Sequence, residues 1–130
     1  MANVVNGIII LDNRILLFKK REYWILPGGK SELGELHFET LVREFKEEAS
    51  ESEIMVNDFY KTFCGLTPIS KREVSVHAYF AELIKPNIGL CPSNEILDIR
   101  FIGNHIKYNL SEITLEIVNS LIKDKYLKYG

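Results

Sequence analysis

Residues 29–51 read GKSELGELHFETLVREFKEEASE, and the second half of this stretch has the apolar spacing of a helix over residues 36–49. At about 100° per residue, apolar side chains fall on one arc of this helix and carboxylates on the next. The apolar arc, which we expect to pack on a sheet, consists of Phe38, Leu41, Val42, Phe45 and Ala49. Because a single helix cannot bury such an arc alone, the stretch predicts a domain in which helices cover a sheet.

The neighbouring arc of the helix carries three carboxylates, Glu44, Glu47 and Glu48. Their i, i+3 and i+4 spacing predicts that the three side chains reach one common point. Like charges at this spacing destabilise a helix by a few tenths of a kcal/mol. The cluster is therefore either an acidic face spread into solvent or a site neutralised by a cation, and carboxylate oxygens suit Mg²⁺, Mn²⁺ and Ca²⁺. The helix alone leaves both interpretations open.

The same stretch resembles the signature of the Nudix hydrolase family: Gly, five residues, Glu, seven residues, Arg-Glu, an apolar residue, any residue, Glu-Glu, any residue, Gly. The residues that match at the right spacing are Gly29, Glu35, Arg43, Glu44, Phe45, Glu47 and Glu48. Residues 24–29, WILPGG, also resemble the lead-in common in this family. The resemblance favours the cation site over the solvated acidic face.

Two positions at the end of the helix depart from the family pattern. The final Gly is Ser50, and the apolar position after it is Glu51. A glycine there would end the helix in the left-handed conformation, which costs a serine of order 1 kcal/mol. We therefore expect the helix to run on or to end differently, without loss of any presumed metal ligand.

The resemblance implies a divalent metal cofactor, Mg²⁺ or alternatively Mn²⁺. Glu44 and Glu48 would be its principal ligands, Glu47 would bind directly or through water, and the Gly28 carbonyl would complete the site. Glycine at positions 28 and 29 lets the backbone come close to the ion, and the Gly29 backbone is also expected to contact the substrate.

Two further acidic residues are candidates for the site. The resemblance implies that Arg43 points off the acidic arc toward Glu35 in the preceding loop, where a bidentate ion pair would hold the loop against the helix. It leaves the general base open between a glutamate of the signature and one from a later loop. Glu95, in the sequence PSNE, is the best later candidate, and its alternative role is that of an exposed turn residue.

Several residues before the signature could contact the substrate. Lys19, Lys20 and Arg21 follow the second predicted strand toward the site, and we expect one of them to bind a phosphate. Since side chains alternate along a strand, at least one of the three must face away from the site. Lys19 and Arg21 are the candidates for contact with the substrate. Trp24 either stacks on a base or packs in the core.

The rest of the chain predicts strands on both sides of the first helix and a second helix capped by Ser111. The earlier strands are residues 4–11 and 15–19, which form a hairpin, and residues 24–26; the later strands are residues 54–64, 73–84 and 99–102. This order predicts an α+β fold. The resemblance specifies it as a Nudix-like α/β/α sandwich, a mixed sheet flanked by helices.

Composition excludes several classes of protein. The chain has 130 residues and a formal net charge of −2, which predicts a single domain over residues 1–130 and no long nucleic acid as a partner. No stretch reaches the ~20 apolar residues of a membrane span. Cys64 and Cys91 are interpreted as reduced core residues, which fits the cytoplasm. The three histidines, predicted to be non-catalytic, are His37, His77 and His105.

The leading functional hypothesis is a hydrolase of nucleoside triphosphates that releases a monophosphate and pyrophosphate, because the chain is short and carries the WILPGG lead-in. ADP-ribose pyrophosphatase is the alternative, since Pro68 lies near a proline that marks such enzymes. A non-catalytic nucleotide-binding module is a third hypothesis, although such modules typically lose the signature glutamates. The nucleobase, and the choice between monomer and homodimer, are left open.

Overall fold

Two four-stranded sheets form the centre of the fold in the computed structural model, which describes residues 2–84 and 90–128. In chain order the elements are β1 (Ala2–Ile8), β2 (Ile10–Leu11), β3 (Arg14–Lys20), β4 (Tyr23–Ile25), β5 (Gly28–Lys30), α1 (His37–Glu48), β6 (Ile54–Leu66), β7 (Glu73–Leu83), β8 (Ile96–Ile102) and α2 (Glu112–Lys123). A short 3₁₀ turn, His105–Lys107, precedes α2.

The first sheet has the strand order β5-β1-β7-β6. β1 and β7 are parallel, with Val4 opposite Val76, whereas the β1–β5 and β6–β7 pairs are antiparallel. One face of the sheet packs on α1 through Leu41 and Phe45, and the other packs on α2. This confirms the predicted mixed sheet flanked by helices.

The second sheet consists of β2, β3, β4 and β8 and is antiparallel throughout. The prediction of one hairpin between residues 4–11 and 15–19 is therefore wrong in extent. The chain leaves the first sheet at Ile9, and only Ile10 and Leu11 pair with β3. β1 instead pairs with the distant strand β7, and the apolar pattern of a strand does not reveal its pairing partner.

The buried face of α1 differs from the predicted apolar arc in the first turn. Leu41, Phe45 and Ala49 are fully buried, but Phe38 is 53% exposed and Val42 is half-buried. Thr40 takes the inward position, where its hydroxyl donates to the Glu35 carboxylate at 3.0 Å. The first turn therefore packs on the loop before the helix, which a helical wheel cannot show.

The end of α1 keeps the backbone conformation that the family pattern assigns to glycine. The helix ends at Glu48, with Ala49 as its C-cap. Ser50 (φ 47°) and Glu51 (φ 67°) then both adopt left-handed conformations. The substitution at position 50 leaves the turn in place and adds backbone strain, since a Cβ disfavours this region.

Both cysteines are exposed, so their interpretation as core residues is wrong. On β6 the side chain of Phe63 is buried, and alternation along the strand directs Cys64 to the opposite face. Cys91 lies in the irregular segment before β8. In the two described ranges, neither helix has the length and apolar character needed to cross a membrane.

Candidate active site

Two glycines let β5 pack closely, Gly28 against β1 and Gly29 against α1. Gly28 has φ 137°, and a Cβ at this position would overlap the Val5 carbonyl oxygen. A Cβ at Gly29 would overlap the carboxyl group of Glu44. The loop before α1 therefore places bare backbone against the acidic arc of the helix, as expected from the PGG sequence.

Glu48 lies deepest in the acidic arc. Its Oε1 accepts a hydrogen bond from the Gly28 N–H at 3.1 Å. Burial raises the pKa of Glu48 to about 8; the bond from Gly28 lowers it, and the negative charge of Glu44 raises it further. A carboxylate in this environment calls for a nearby positive charge, and Lys20 supplies part of it, because its charge also lowers the pKa of Glu48.

Glu44 and Glu47 both contact Arg43. The Arg43 Nη1 donates to Glu44 Oε1 at 3.0 Å, and it lies 3.5 Å from the Glu47 carboxylate. Burial raises the pKa of Glu44, against the opposing hydrogen bond from Arg43. Glu44 is mostly buried, with 19% of its side chain exposed, whereas Glu47 is about half exposed.

The predicted convergence of the three carboxylates on one point is not present. Among residues 2–84 and 90–128, no three His, Cys, Asp or Glu side chains are grouped at a distance that could hold a metal ion. The physical reason is that each carboxylate has another partner: Arg43 for Glu44 and Glu47, and the Gly28 amide for Glu48. The acidic side chains lie side by side but are not arranged as a ligand set.

Arg43 and Glu35 form the predicted bidentate pair. Arg43 Nε donates to Glu35 Oε2 at 2.7 Å, and Nη2 donates to Oε1 at 2.9 Å. Glu35 also accepts from the backbone N–H of Glu32 at 2.8 Å and from the hydroxyl of Thr40 at 3.0 Å. The hydrogen bonds from Arg43 are the main cause that lowers the pKa of Glu35 to about 2. This pair joins the loop before α1 to the helix.

A cavity of about 400 Å³, called the cleft below, borders β5 at Gly28 and Gly29. Lys20, Arg21 and Glu95 form a charged part of its lining. Residues 67–70, the turn between β6 and β7, form another part. The aliphatic side chains that line the cleft are Val4, Ile25, Leu26, Val74, Val76 and Ile113. The cleft thus combines a charged rim near the acidic helix with an apolar interior.

The loop that carries Glu95 is attached to the C-terminal end of α1. The Ser93 N–H donates to the Glu48 carbonyl at 3.0 Å, and the Asn94 side chain donates to the Glu47 carbonyl at 3.0 Å. Glu95 forms an ion pair with Lys20 at 2.9 Å, and this hydrogen bond lowers the pKa of Glu95. The later loop therefore places a carboxylate in the lining of the cleft.

Two predicted substrate contacts lie elsewhere. Trp24 is 6% exposed and packs edge-on against Tyr108 in the core, so it does not line the cleft. Lys19 is half-buried opposite Trp24, and alternation along β3 gives the cleft position to Lys20. Arg21 does line the cleft.

The three histidines do not line the cleft. His37 and His77 stack at 4.6 Å between ring centroids, and His37 Nδ1 lies 2.7 Å from the Tyr79 hydroxyl. His105 is buried in the 3₁₀ turn. Sequence reasoning missed a different residue of the cleft, Asn6, although a polar residue at an inward position of an apolar strand was a visible signal.

Two matches to known proteins each cover a little over a third of this chain. A 50-residue match is 38% identical to an uncharacterized Nudix hydrolase of Bacillus subtilis, covering 37% of this chain and 32% of that protein. A 52-residue match is 48% identical to an ADP-ribose pyrophosphatase of Methanocaldococcus jannaschii, covering 36% of this chain and 31% of that protein. Each match spans about a third of the relative's length.

The fold and the family model extend the similarity to most of the chain. The solution structure of the E. coli ORF135 protein superposes with a TM-score of 0.69 and 26% identity, covering 93% of this chain and 90% of that one. The family model described as the NUDIX domain matches residues 1–106. Since this match includes Gly28 and Gly29, the acidic helix and the loop of Glu95, the chain belongs to the Nudix family.

Proposed function

We propose that the protein is a hydrolase that cleaves the pyrophosphate linkage of a nucleoside diphosphate derivative. The observation that carries this proposal is the packing of β5 against the acidic arc of α1, beside a cleft with a cationic rim. Gly29 has no side chain where Glu44 approaches, and Glu48 is held by the Gly28 amide. Lys20 and Arg21 face the same cleft. Carboxylates that would bind a cation thus lie beside basic side chains that would bind a phosphate.

The donor groups fit Mg²⁺, with Mn²⁺ as an alternative. Glu44, Glu47 and Glu48 offer only oxygen atoms, which these hard ions prefer. Burial raises the pKa of Glu48, which supports a bound cation as the charge that compensates its carboxylate. We assign Glu44 and Glu48 as the principal ligands and Glu47 as a third, and their use requires Glu44 and Glu47 to leave Arg43.

Hydrolysis adds water across the P–O–P bridge: one P–O bond forms, one breaks, and the water proton passes to a base. A bound divalent ion would neutralise the phosphate oxygens and keep attacking and leaving groups in line. Lys20 and Arg21 are placed to bind the phosphates at the rim of the cleft. We assign Glu95 as the base that accepts this proton, since its lowered pKa keeps the carboxylate ionised at neutral pH. Glu47 of the signature is the alternative base.

We propose nucleoside triphosphates as the substrates and a monophosphate with pyrophosphate as products. ADP-ribose is the second candidate, and two observations favour it. A stretch of this chain is 48% identical to an enzyme named ADP-ribose pyrophosphatase, and Pro68 lies in the lining of the cleft. The third hypothesis, a non-catalytic module, has less support because every signature glutamate is present.

A substrate screen tests the proposal. Nucleoside triphosphates, ADP-ribose, dinucleoside polyphosphates and nucleotide sugars are incubated with the protein and Mg²⁺ or Mn²⁺, and released phosphate or pyrophosphate is measured. We expect turnover of at least one class, its loss in EDTA, and its return with added metal. Full turnover in EDTA would contradict the metal assignment, and the absence of turnover across the screen would contradict the enzymatic function.

A further inference from the structure

Asn6 is a buried polar residue on β1 whose carboxamide lacks a hydrogen-bond partner within residues 2–84 and 90–128. The residue is 7% exposed. Other buried polar side chains are satisfied: Thr40 bonds to Glu35, and Ser111 bonds to Thr114 at 2.8 Å. Among the described residues, no fully buried side-chain nitrogen or oxygen lacks a partner, so the polar atoms of the Asn6 carboxamide remain accessible at the cleft.

The position of Asn6 on the sheet explains the direction in which its side chain points. On β1, the residues Val4 and Ile8 belong to the face that packs toward α2, and Asn6 alternates in phase with them. Its register partner on β5 is Gly28, which has no side chain to cover or bond the carboxamide. Asn6 lines the cleft together with Val4 and Val76. A donor and an acceptor therefore lie unused in the apolar interior of the cleft.

The structure gives the carboxamide no partner of its own among the described residues, because its polar atoms stay accessible to solvent at the cleft. A leucine of similar size would fill the same space but would offer a ligand no hydrogen bond. The group is useful once a ligand supplies the missing partners. The carboxamide thus offers a ligand directional hydrogen bonds in a lining that also contains aliphatic walls and the hydroxyl residues Ser111 and Thr114.

We propose that Asn6 determines specificity by binding the edge of a nucleobase seated in the cleft. A carboxamide presents one acceptor beside one donor, which pairs with a base edge that shows an adjacent donor and acceptor. The aliphatic walls, which include Val4 and Val76, would contact the faces of a planar ring while the carboxamide pairs with its edge. The phosphates then extend past Gly28 and Gly29 toward the acidic helix. This inference rests on the proposed function in taking the ligand to be a nucleotide.

The variant Asn6→Leu separates this role from a structural one. It keeps the approximate size and removes both hydrogen-bonding groups. We expect Tm to hold, because the carboxamide has no partner among the described residues to lose, while affinity for a nucleotide falls roughly 10- to 100-fold. The matched control is Asn57→Leu on β6, since Asn57 is exposed and does not line the cleft.

The experiment uses AMP, GMP, CMP and UMP, which lack a pyrophosphate linkage, so binding is measured independently of hydrolysis. Each is titrated to millimolar concentration into the ¹⁵N-labelled full chain, and the Asn6 side-chain NH₂ signals are assigned by their loss in Asn6→Leu. We expect at least one nucleotide to shift these signals, and to bind Asn57→Leu as it binds wild type.

Two results would overturn the proposal: no nucleotide shifts the Asn6 signals, or Asn6→Leu binds with wild-type affinity. The outcome is distinct from failure of the proposed function. A protein that binds a monophosphate through Asn6 but turns over no substrate in the screen would keep this inference and lose the hydrolase assignment. If wild type and Asn6→Leu hydrolyse nucleotides with equal efficiency, the hydrolase assignment is kept and this inference is lost.

Discussion

Arg43 holds Glu35 through two parallel hydrogen bonds, from Nε to Oε2 at 2.7 Å and from Nη2 to Oε1 at 2.9 Å. The remaining nitrogen, Nη1, faces Glu44 at 3.0 Å. One guanidinium therefore fixes the loop before α1 and at the same time offsets negative charge on the acidic arc. This geometry connects the stability of the loop with the arrangement of the proposed metal ligands, because the same side chain supports both.

Replacing this arginine should affect both folding and rate. We expect Arg43→Ala to lower the free energy of unfolding by about 1.5–3 kcal/mol, the range for hydrogen bonds to charged groups, and to lower kcat. Denaturant unfolding and steady-state kinetics measure the two effects. Arg72→Ala, at an exposed position between β6 and β7, is the control and should change stability little. Unchanged stability with weaker substrate binding would instead make Arg43 a phosphate ligand.

The pair also predicts how stability depends on acid. The pKa of Glu35 is about 2 in the folded protein and 4.5 in its reference state, so the folded form binds fewer protons between these values. Its stabilising contribution is complete above pH 4.5 and is lost as the pH falls toward 2. In thermal unfolding at pH 7 to 2, Glu35→Gln should start less stable than wild type and converge with it in this window. Parallel curves would contradict the assignment.

Glu48 distinguishes an enzyme from a binding module. Glu48→Gln removes the charge at nearly constant size, so we expect kcat to fall at least ~10²-fold, near the cost of one electrostatic stabiliser. Metal-free Tm should hold or rise, because burial already raises the pKa of Glu48 to about 8 and the neutral amide keeps an oxygen that accepts from the Gly28 N–H. Added Mg²⁺ should raise Tm less than in wild type, since ligation stabilises the folded state by mass action.

The control for Glu48 is the same substitution at Glu116, which is exposed on α2. Glu116→Gln should keep the kcat and the metal response of wild type. If Glu48→Gln behaves like this control in both measurements, the acidic arc is a solvated face and the metal assignment is wrong.

The turn after α1 predicts a stabilising substitution. Ser50 has φ 47°, a conformation that glycine adopts without a Cβ penalty. We expect Ser50→Gly to raise the free energy of unfolding by about 0.5–1 kcal/mol. Ser50→Ala keeps the Cβ and should give no such gain. Chemical denaturation compares the three proteins, and equal stability of the glycine and alanine variants would show that the strain is absent.

The general base is tested at two glutamates in parallel. If Glu95 accepts the proton, Glu95→Gln should lower kcat at least ~10²-fold and remove the acidic limb from the pH profile of kcat/KM. Glu47→Gln should then retain that limb. The reverse pattern would move the role to Glu47 of the signature. The measurement is initial rate against pH on the substrate found in the screen.

Some features of the site were available in the sequence because they depend on neighbours along the chain. The helical spacing placed Leu41, Phe45 and Ala49 on a buried arc and the three glutamates beside it, and the structure has both. The bidentate pair of Arg43 with Glu35 followed from the family pattern, since eight residues span one loop and the start of a helix. Local periodicity and short loops set these relationships.

Other features depended on contacts between distant segments. The division into two sheets arises because β1 pairs with β7 rather than with its neighbour, and the separation of the carboxylates arises because Arg43 and Gly28 offer them other partners. The exposure of Phe38 reflects the loop on which the first turn packs. A helical wheel has no information about such partners.

The sequence by itself determined the acidic helix and the adjacent glycines 28 and 29, because both depend on the spacing of residues a few positions apart. Only the tertiary structure decided which of Lys19 and Lys20 reaches the cleft, that Trp24 is core, and that the Asn6 carboxamide lies at the cleft without a partner among the described residues. The physical reason is strand register: one step along a strand reverses the face of a side chain, and register is set by pairing across the sheet.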